Sequence, residues 1–225
     1  MSDFPADAVT LLAELPSKPS GWTKQHADRY QAELMNPLRE LVDELGDRLR
    51  TTVSPGIASA PTVRGSISPV TTDKRFAGPD AADHKDHVLL RFWEGATTQT
   101  APTLFVRIGA DGFGFASGVP LVKDLRERWR TAVAGEPGAE VAQLLDALAT
   151  DGHELSGDLL AKVPSPHPAD HPRAELLRRT GGLQVRTLQQ VPDAAGVTEV
   201  AERCATALDP YASLHRWFVA HIEEG

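Results

Sequence analysis

The sequence predicts an α+β fold: a single domain in which a central, mainly antiparallel sheet is flanked by N-terminal and C-terminal helices. Helical periodicity of apolar residues marks both ends of the chain, and short β-forming runs separated by turn residues lie between them. We expect one domain over residues 1–225, helical in 1–50, strand-rich in 60–120, and helical with one returning strand in 121–225.

The first helices are predicted from apolar spacing. A short helix is expected over residues 6–15 and a long one over residues 22–49, where apolar side chains recur every three or four positions. Pro37 lies inside the long helix and has no backbone N–H, so we expect it to kink or divide that helix. The spacing is typical of a helix that packs on a sheet and exposes its charged side.

Four β-forming runs are predicted as strands, at residues 62–70, 88–93, 103–108 and 112–119. The last two are expected to form a hairpin, because the Asp111-Gly112 step between them tolerates the positive φ of a tight turn. Gly109, Gly112, Gly114 and Gly118 therefore indicate a hairpin; a phosphate-binding loop would join a strand to a helix.

The C-terminal half predicts further helices around one strand. The expected elements are helices at 122–133 and 139–148, a proline-rich loop at 163–172, a helix from Pro172 to Arg179, a strand at 183–188, and a helix at 197–222 interrupted near Pro210. Either His171 or Asp170 is expected to cap the helix that follows the loop. The tryptophans and Tyr30 are expected in the core or at its edge.

Composition argues against several classes of function. The formal net charge is −8 with scattered basic residues, which argues against a nucleic-acid or anionic-membrane surface. Cys204 is the only cysteine, so no disulfide can form within the chain and no cysteine-rich zinc site is available. No signal-like N-terminus and no run of about 18 apolar residues occurs. We expect a cytoplasmic, soluble protein without a predicted cofactor; the oligomeric state stays open.

Reactive side chains are densest in residues 73–87, between two predicted strands. Arg75 and Lys85 are the expected ligand-binding residues, since both attract a carboxylate or phosphate. The candidate catalytic residues are Asp73, Asp80, His84 and His87. In that hypothesis a carboxylate orients an imidazole that acts as a general base.

Two other interpretations of the same segment stay open. In one, it is a solvated connection held by internal ion pairs, and the protein is a non-catalytic interaction or scaffold protein. In the other, Asp83, His84 and His87 are weak candidates for the ligands of a metal-dependent enzyme. No Gly-x-Ser-x-Gly, His-Glu-x-x-His or Walker motif is present, so the sequence does not decide whether the protein is an enzyme.

Four groups of residues, in order along the chain, resemble a known family. They are Trp22 with Tyr30 and Pro37-Leu38; Asp73-x-Arg75-Phe76 with Asp80 and Lys85; the glycine-rich run 112–118; and Val163-Pro164 with His171-Pro172 and Glu175-Leu176-Leu177. This pattern is similar to the uncharacterised bacterial and fungal family called domain of unknown function 2461. The resemblance spans nearly the whole chain and implies a bacterial-type conserved hypothetical protein with a site near residues 73–87.

The departures from the family pattern fall mainly in that central run. Thr23 replaces a Phe, Thr72 replaces an Arg, Asp83-His84 replaces Pro-Tyr, and one residue appears inserted near Gly78-Pro79. The resemblance therefore implies a fold and a location but no reaction. The leading hypothesis is a cytoplasmic protein that binds a small anionic ligand through this polar loop.

Overall fold

A sheet of five strands lies at the centre of this protein, and the side chains of each strand point alternately to its two faces. The strands are β1 (His87–Trp93), β2 (Thr103–Gly109), β3 (Gly112–Leu121), β4 (Glu154–Leu159) and β5 (Arg179–Gln189). In the computed structural model, which describes residues 4–223, they pair in the order β1–β2–β3–β5–β4 and every neighbouring pair is antiparallel. The predicted α+β class is confirmed.

Helices cover one face of this sheet. They are α1 (Ala6–Glu14), α2 (Trp22–Gln25), α3 (Ala27–Tyr30), α4 (Asn36–Thr52), α5 (Lys74–Ala77), α6 (Lys123–Ala134), α7 (Pro137–Thr150), α8 (Ala174–Leu177), α9 (Gly196–Leu208) and α10 (Ala212–His221). Of these, α1, α6, α7, α9 and α10 make the main contacts with the strands. No helix within residues 4–223 is long and apolar enough to cross a bilayer.

The predicted long N-terminal helix is divided. A break at His26 separates α2 from α3, and a π-helical turn, Gln31–Met35, precedes α4. Pro37 lies buried in the first turn of α4, where a missing N–H costs no helical hydrogen bond. The helix is broken at His26, whereas near Pro37 the backbone stays helical and changes only from π- to α-helical hydrogen bonding at Asn36. The main partner of α4 is α9, whereas a packing partner in the sheet was expected.

The prediction of a strand at residues 62–70 is wrong. The segment runs beside the edge of β1 and forms only isolated bridges, among them Ile67 with Leu90. Its backbone turns back at Arg64, whose φ is 73°, and two prolines, Pro61 and Pro69, lack the N–H that a ladder needs. Even so, Ser66 and Ser68 exchange backbone hydrogen bonds with β1, which protects that edge.

Residues 121–225 hold two strands, where one was expected. The additional strand is β4, whose side chains are mostly exposed and whose pairing with β5 is irregular near Gly157, so its periodicity is weak. The helix predicted from Pro172 to Arg179 is only the single turn α8, because Arg179 already belongs to β5. The C-terminal helix is interrupted at Asp209–Tyr211, as expected from Pro210. Residues 1–3 and 224–225 of the predicted domain lie outside the described part.

One apolar cluster joins the helices to the sheet. Trp129 and Trp217 pack edge to face in it, with ring centroids 5.8 Å apart, and both are buried. Trp22 is also buried, and Tyr30 packs against the cluster from a half-buried position. The expectation of core or core-edge aromatics is confirmed for these residues.

The predicted hairpin joins β2 and β3 across Ala110 and Asp111, and Gly109 faces Gly112 across the turn. Gly112 has a φ of 133°, and a Cβ built on it would collide with the carbonyl oxygen of Gln189 in β5. Glycine is therefore required there for backbone conformation and for the close approach of β5.

Substituting Gly112 tests this requirement. Urea unfolding of Gly112→Ala should show a loss larger than the roughly 1–3 kcal/mol expected from backbone strain alone, because β3 and β5 must also separate. Gly78→Ala is the matched control, since Gly78 has a φ of 91° but open space around its Cβ position. Equal losses in the two variants would contradict the close approach.

Candidate functional site

The face of the sheet that the helices leave uncovered is the candidate site, and we call it the open face. Its side chains alternate with the buried ones along each strand. It is formed by Leu89 and Arg91 of β1, Phe105 and Arg107 of β2, Gly114, Ala116 and Gly118 of β3, Gln184 and Arg186 of β5, and Glu154 and Ser156 of β4.

The middle of the open face is a depression. β3 is the central strand, and between residues 113 and 119 it presents only Gly114, Ala116 and Gly118 to this side. Phe105 of β2 stands beside Ala116 and is half-buried. Small side chains in the centre and larger ones on both sides leave room for a ligand against the sheet.

Two cavities occupy this depression. One has a volume of about 400 Å³ and is lined by Arg91, Phe105, Gly118 and Ser156 among others. The second, of about 550 Å³, extends toward the β2–β3 hairpin past Arg107 and Arg186. Phe105 and Gln184 border both, so the two cavities are neighbours along the open face.

Two of the three arginines on the open face are paired with carboxylates. Arg107 donates to Asp111 at 2.6 Å, and this hydrogen bond holds the pKa of the Asp111 carboxyl below its ordinary value. Arg186 donates to Glu154 on the neighbouring strand at 2.9 Å. Their charges are therefore largely neutralised within the protein.

Arg91 is different. Its Nη2 donates to the backbone carbonyl oxygens of Gly65 at 2.9 Å and Arg64 at 3.3 Å. Its Nε is buried and without a hydrogen-bond partner, and no carboxylate within the described residues forms an ion pair with it. The side chain thus brings an uncompensated positive charge to the rim of the 400 Å³ cavity.

The sequence analysis did not select Arg91, Arg107 or Arg186. The sequence does contain a signal for two of these arginines. Arg91 and Arg107 each stand between two buried apolar residues of a strand, and this alternation predicts that they face away from the core. That signal does not reveal which of them lacks a carboxylate, because the partners come from a turn and from another strand.

The polar segment 73–87 holds its charged groups in three separate sets of hydrogen bonds and ion pairs. Asp80 is exposed and forms no ion pair with another described residue. The roles predicted for the individual side chains stay predictions.

The first set is a surface pair. Asp73 caps the one-turn helix α5 and accepts two hydrogen bonds from the Arg75 side chain, at 2.9 and 2.6 Å. These bonds lower the pKa of Asp73 to about 2. Arg75 is 82% exposed, so the pair is not buried, and Lys85 donates to the carbonyl oxygen of Pro69.

The second set fastens the segment to the rest of the fold. Lys74 pairs with Asp83 at 2.7 Å and thereby lowers the pKa of that carboxyl. His84 is buried, and its Nε2 lies 3.3 Å from the carbonyl oxygen of Pro19, between α1 and α2. These contacts favour a structural role for this part of the loop.

His87 is the one predicted residue that reaches the open face. It begins β1, faces Gly109 across the ladder, and its Nδ1 lies 2.6 Å from the carboxylate of Asp86. This hydrogen bond lowers the pKa of Asp86, and the nearby positive charge of Arg107 lowers it further by a smaller amount. An oriented imidazole therefore stands at the hairpin end of the open face.

The weak metal candidates do not assemble. Asp83 and His84 belong to the second set and His87 to the third, and residues 4–223 contain no group of three or more His, Cys, Asp or Glu side chains that could hold a metal ion. The N-cap residue of α8 is Arg173, whose N–H donates to His171 Nδ1 at 3.0 Å, so neither His171 nor Asp170 is the expected cap.

Comparison with known proteins yields one match. A family model described as "Conserved hypothetical protein (DUF2461)" matches residues 12–217. No curated protein and no solved structure matches the chain. The matched range includes all five strands and both the polar segment and the open face.

Replacing Arg75 tests the electrostatics of the surface pair. In Arg75→Met, the pKa of Asp73 should rise from about 2 toward its ordinary value of 3.8, because the main hydrogen bonds that lower it are gone. A depressed carboxyl pKa stabilises the fold above the unfolded-state pKa, and this stabilisation disappears as the pH falls through about 2. At neutral pH we expect little change in unfolding, since the pair is exposed.

Carboxyl-carbon NMR titration measures both effects. Lys74→Met is the matched control, because it should leave the Asp73 titration unchanged and raise the pKa of Asp83. An unchanged Asp73 titration in Arg75→Met would show that another group supports that carboxylate.

Proposed function

The chain belongs to the conserved hypothetical protein family DUF2461, whose description states no activity, and we propose that it binds a small anionic ligand on the open face of its sheet. The observation that carries the proposal is the uncompensated charge of Arg91 at the rim of a cavity. A guanidinium held by backbone carbonyls keeps its full charge available to a carboxylate or phosphate.

The shape of the depression indicates what else the ligand carries. Phe105 lies directly beside Arg91 across the β1–β2 ladder, and Gly118 leaves space on the following strand. A flat apolar group fits against the Phe105 ring and the small residues of β3. The proposed ligand therefore combines an anionic group at Arg91 with a planar apolar part over β3.

This proposal moves the anion-binding role away from the polar loop. Arg75 is already held by Asp73, and the Lys85 ammonium donates to a backbone carbonyl. An arginine that must first break an ion pair with a carboxylate contributes less net binding energy than an arginine without such a partner. The ion pairs of the loop support its interpretation as a structural connection.

Catalysis is a narrower possibility within the same proposal. Asp86 orients the imidazole of His87 at the end of the open face, an arrangement suited to a general base. We assign no reaction, because nothing fixes where a ligand atom would stand relative to His87. The proposed location is the cytoplasm, since Cys204 is the single cysteine and the chain therefore has no internal disulfide.

Binding of phenyl phosphate provides the test, because it combines a phosphate with a flat ring. By isothermal titration, Arg91→Met should bind it about 10- to 150-fold more weakly, since hydrogen bonds to a charged group contribute roughly 1.5–3 kcal/mol. Phe105→Ala should weaken phenyl phosphate more than inorganic phosphate, because only the former loses a ring contact.

Arg75→Met is the matched control, as it removes an arginine from the polar loop. It should bind phenyl phosphate like the wild type. Weaker binding in Arg75→Met, with normal binding in Arg91→Met, would show that the site lies in the polar loop. Thermal melting of each variant checks that the segment around Gly65 stays folded without Arg91. Equal binding by wild type and a folded Arg91→Met would exclude the open-face site.

A further inference from the structure

A separate cavity lies away from the open face, where the start of β3 and the end of β5 meet α9. Its volume is about 390 Å³. Phe113, Pro192 and Ala207 give it apolar walls, and His153 and Arg203 are its ionisable polar residues. Among these residues, only Phe113 belongs to a sequence motif, the glycine-rich run 112–118.

The hydrogen bonds of a buried tyrosine determine the state of His153. Tyr211 is fully buried, and its hydroxyl donates to the carbonyl oxygen of Phe115 in β3 at 3.0 Å. Burial raises the pKa of Tyr211, so the hydroxyl keeps its proton. A phenol has a single proton to donate, and this one is used.

His153 must therefore be the donor in its contact with Tyr211. Its Nδ1 lies 2.7 Å from the Tyr211 oxygen, which has only lone pairs left to offer. Neutral His153 then carries its proton on Nδ1 and its lone pair on Nε2. The Tyr211 ring, at 5.0 Å and 87° to the imidazole, fixes the orientation of His153.

The free edge of His153 is available to a ligand. Nε2 has no hydrogen-bond partner among residues 4–223, and it is not one of the buried unpaired polar atoms there, so solvent reaches it. Nε2 can therefore accept a hydrogen bond from a ligand while the Nδ1–H bond to Tyr211 stays intact.

Arg203 supplies a positive charge at the same cavity. Its only ion pair among the described residues is with Glu199, at 3.6 Å, and its side chain is 61% exposed. A long, exposed pair of this kind is weak, so a carboxylate on a ligand can compete for the guanidinium. The cavity then offers a cation, a hydrogen-bond acceptor and apolar walls.

We propose that this cavity is a second ligand site, which takes a small 2-hydroxy acid with an apolar substituent. The carboxylate binds Arg203, the hydroxyl donates to His153 Nε2, and the apolar group packs on Phe113 and Pro192. Tyr211 is a positioning residue, because it acts on the ligand only through His153. The inference does not depend on the open-face proposal.

Three related probes separate the parts of this site. Mandelate carries the carboxylate, the hydroxyl and a phenyl group; phenylacetate lacks the hydroxyl; methyl mandelate lacks the charge. By isothermal titration, mandelate should bind about 3- to 10-fold more tightly than phenylacetate, the ratio expected from one neutral hydrogen bond. Methyl mandelate should bind most weakly.

Variants assign each contact. His153→Leu should reduce mandelate binding to the level of phenylacetate, and Arg203→Met should weaken both acids about 10-fold or more. His167→Leu is the matched control, since it removes an imidazole that does not line this cavity, and it should bind like the wild type. Mandelate also carries an anion and a flat ring, the features proposed for the open-face ligand, so the titrations use an Arg91→Met background, in which binding at the second site should remain.

The tautomer provides a readout that does not need a ligand. Nitrogen NMR of the imidazoles should show His153 with its proton on Nδ1 in the neutral form, and Tyr211→Phe should weaken that preference. A proton on Nε2 in the wild type, equal binding of mandelate and phenylacetate, or no mandelate binding would each overturn the proposal. Loss of mandelate binding in Arg91→Met in place of Arg203→Met would overturn it too.

Discussion

The structure depends on the two-residue alternation of side chains along an antiparallel sheet. Leu90 and Phe92 of β1 face the helices, so Leu89 and Arg91 must face the other way. The same parity in β3 places its phenylalanines in the core and its small residues on the open face. A shift of one residue in pairing would bury arginines and expose the core, so burial fixes the register.

Charge pairing decides which of the exposed groups can act on a ligand. The polar segment holds many charges, yet Asp73 with Arg75 and Lys74 with Asp83 neutralise one another locally. Arg91 is oriented by backbone carbonyls, which leave its charge intact. A dense polar sequence is therefore a weaker indicator of a binding site than a single cation without a counter-ion.

β3 connects the two candidate sites. Its small residues form the floor of the open-face depression, and the Phe115 carbonyl determines the hydrogen bonding of Tyr211 and, through it, of His153. The strand is central in the sheet and buried along most of its length, which makes it a rigid support for both. The ionisable groups of each candidate site lie on less buried elements around β3.

The sequence by itself determined the α+β class, the β2–β3 hairpin and the interruption at Pro210, because each follows from local periodicity or from glycine and proline chemistry. It failed at residues 62–70 and at β4, where irregular edge pairing and exposure weaken the periodic signal. Only the tertiary structure decided that Arg91 lacks a carboxylate and that Tyr211 meets His153, 58 positions apart in the chain. Hydrogen-bond and ion-pair partners depend on distances between distant segments, and local sequence patterns carry no information about those distances.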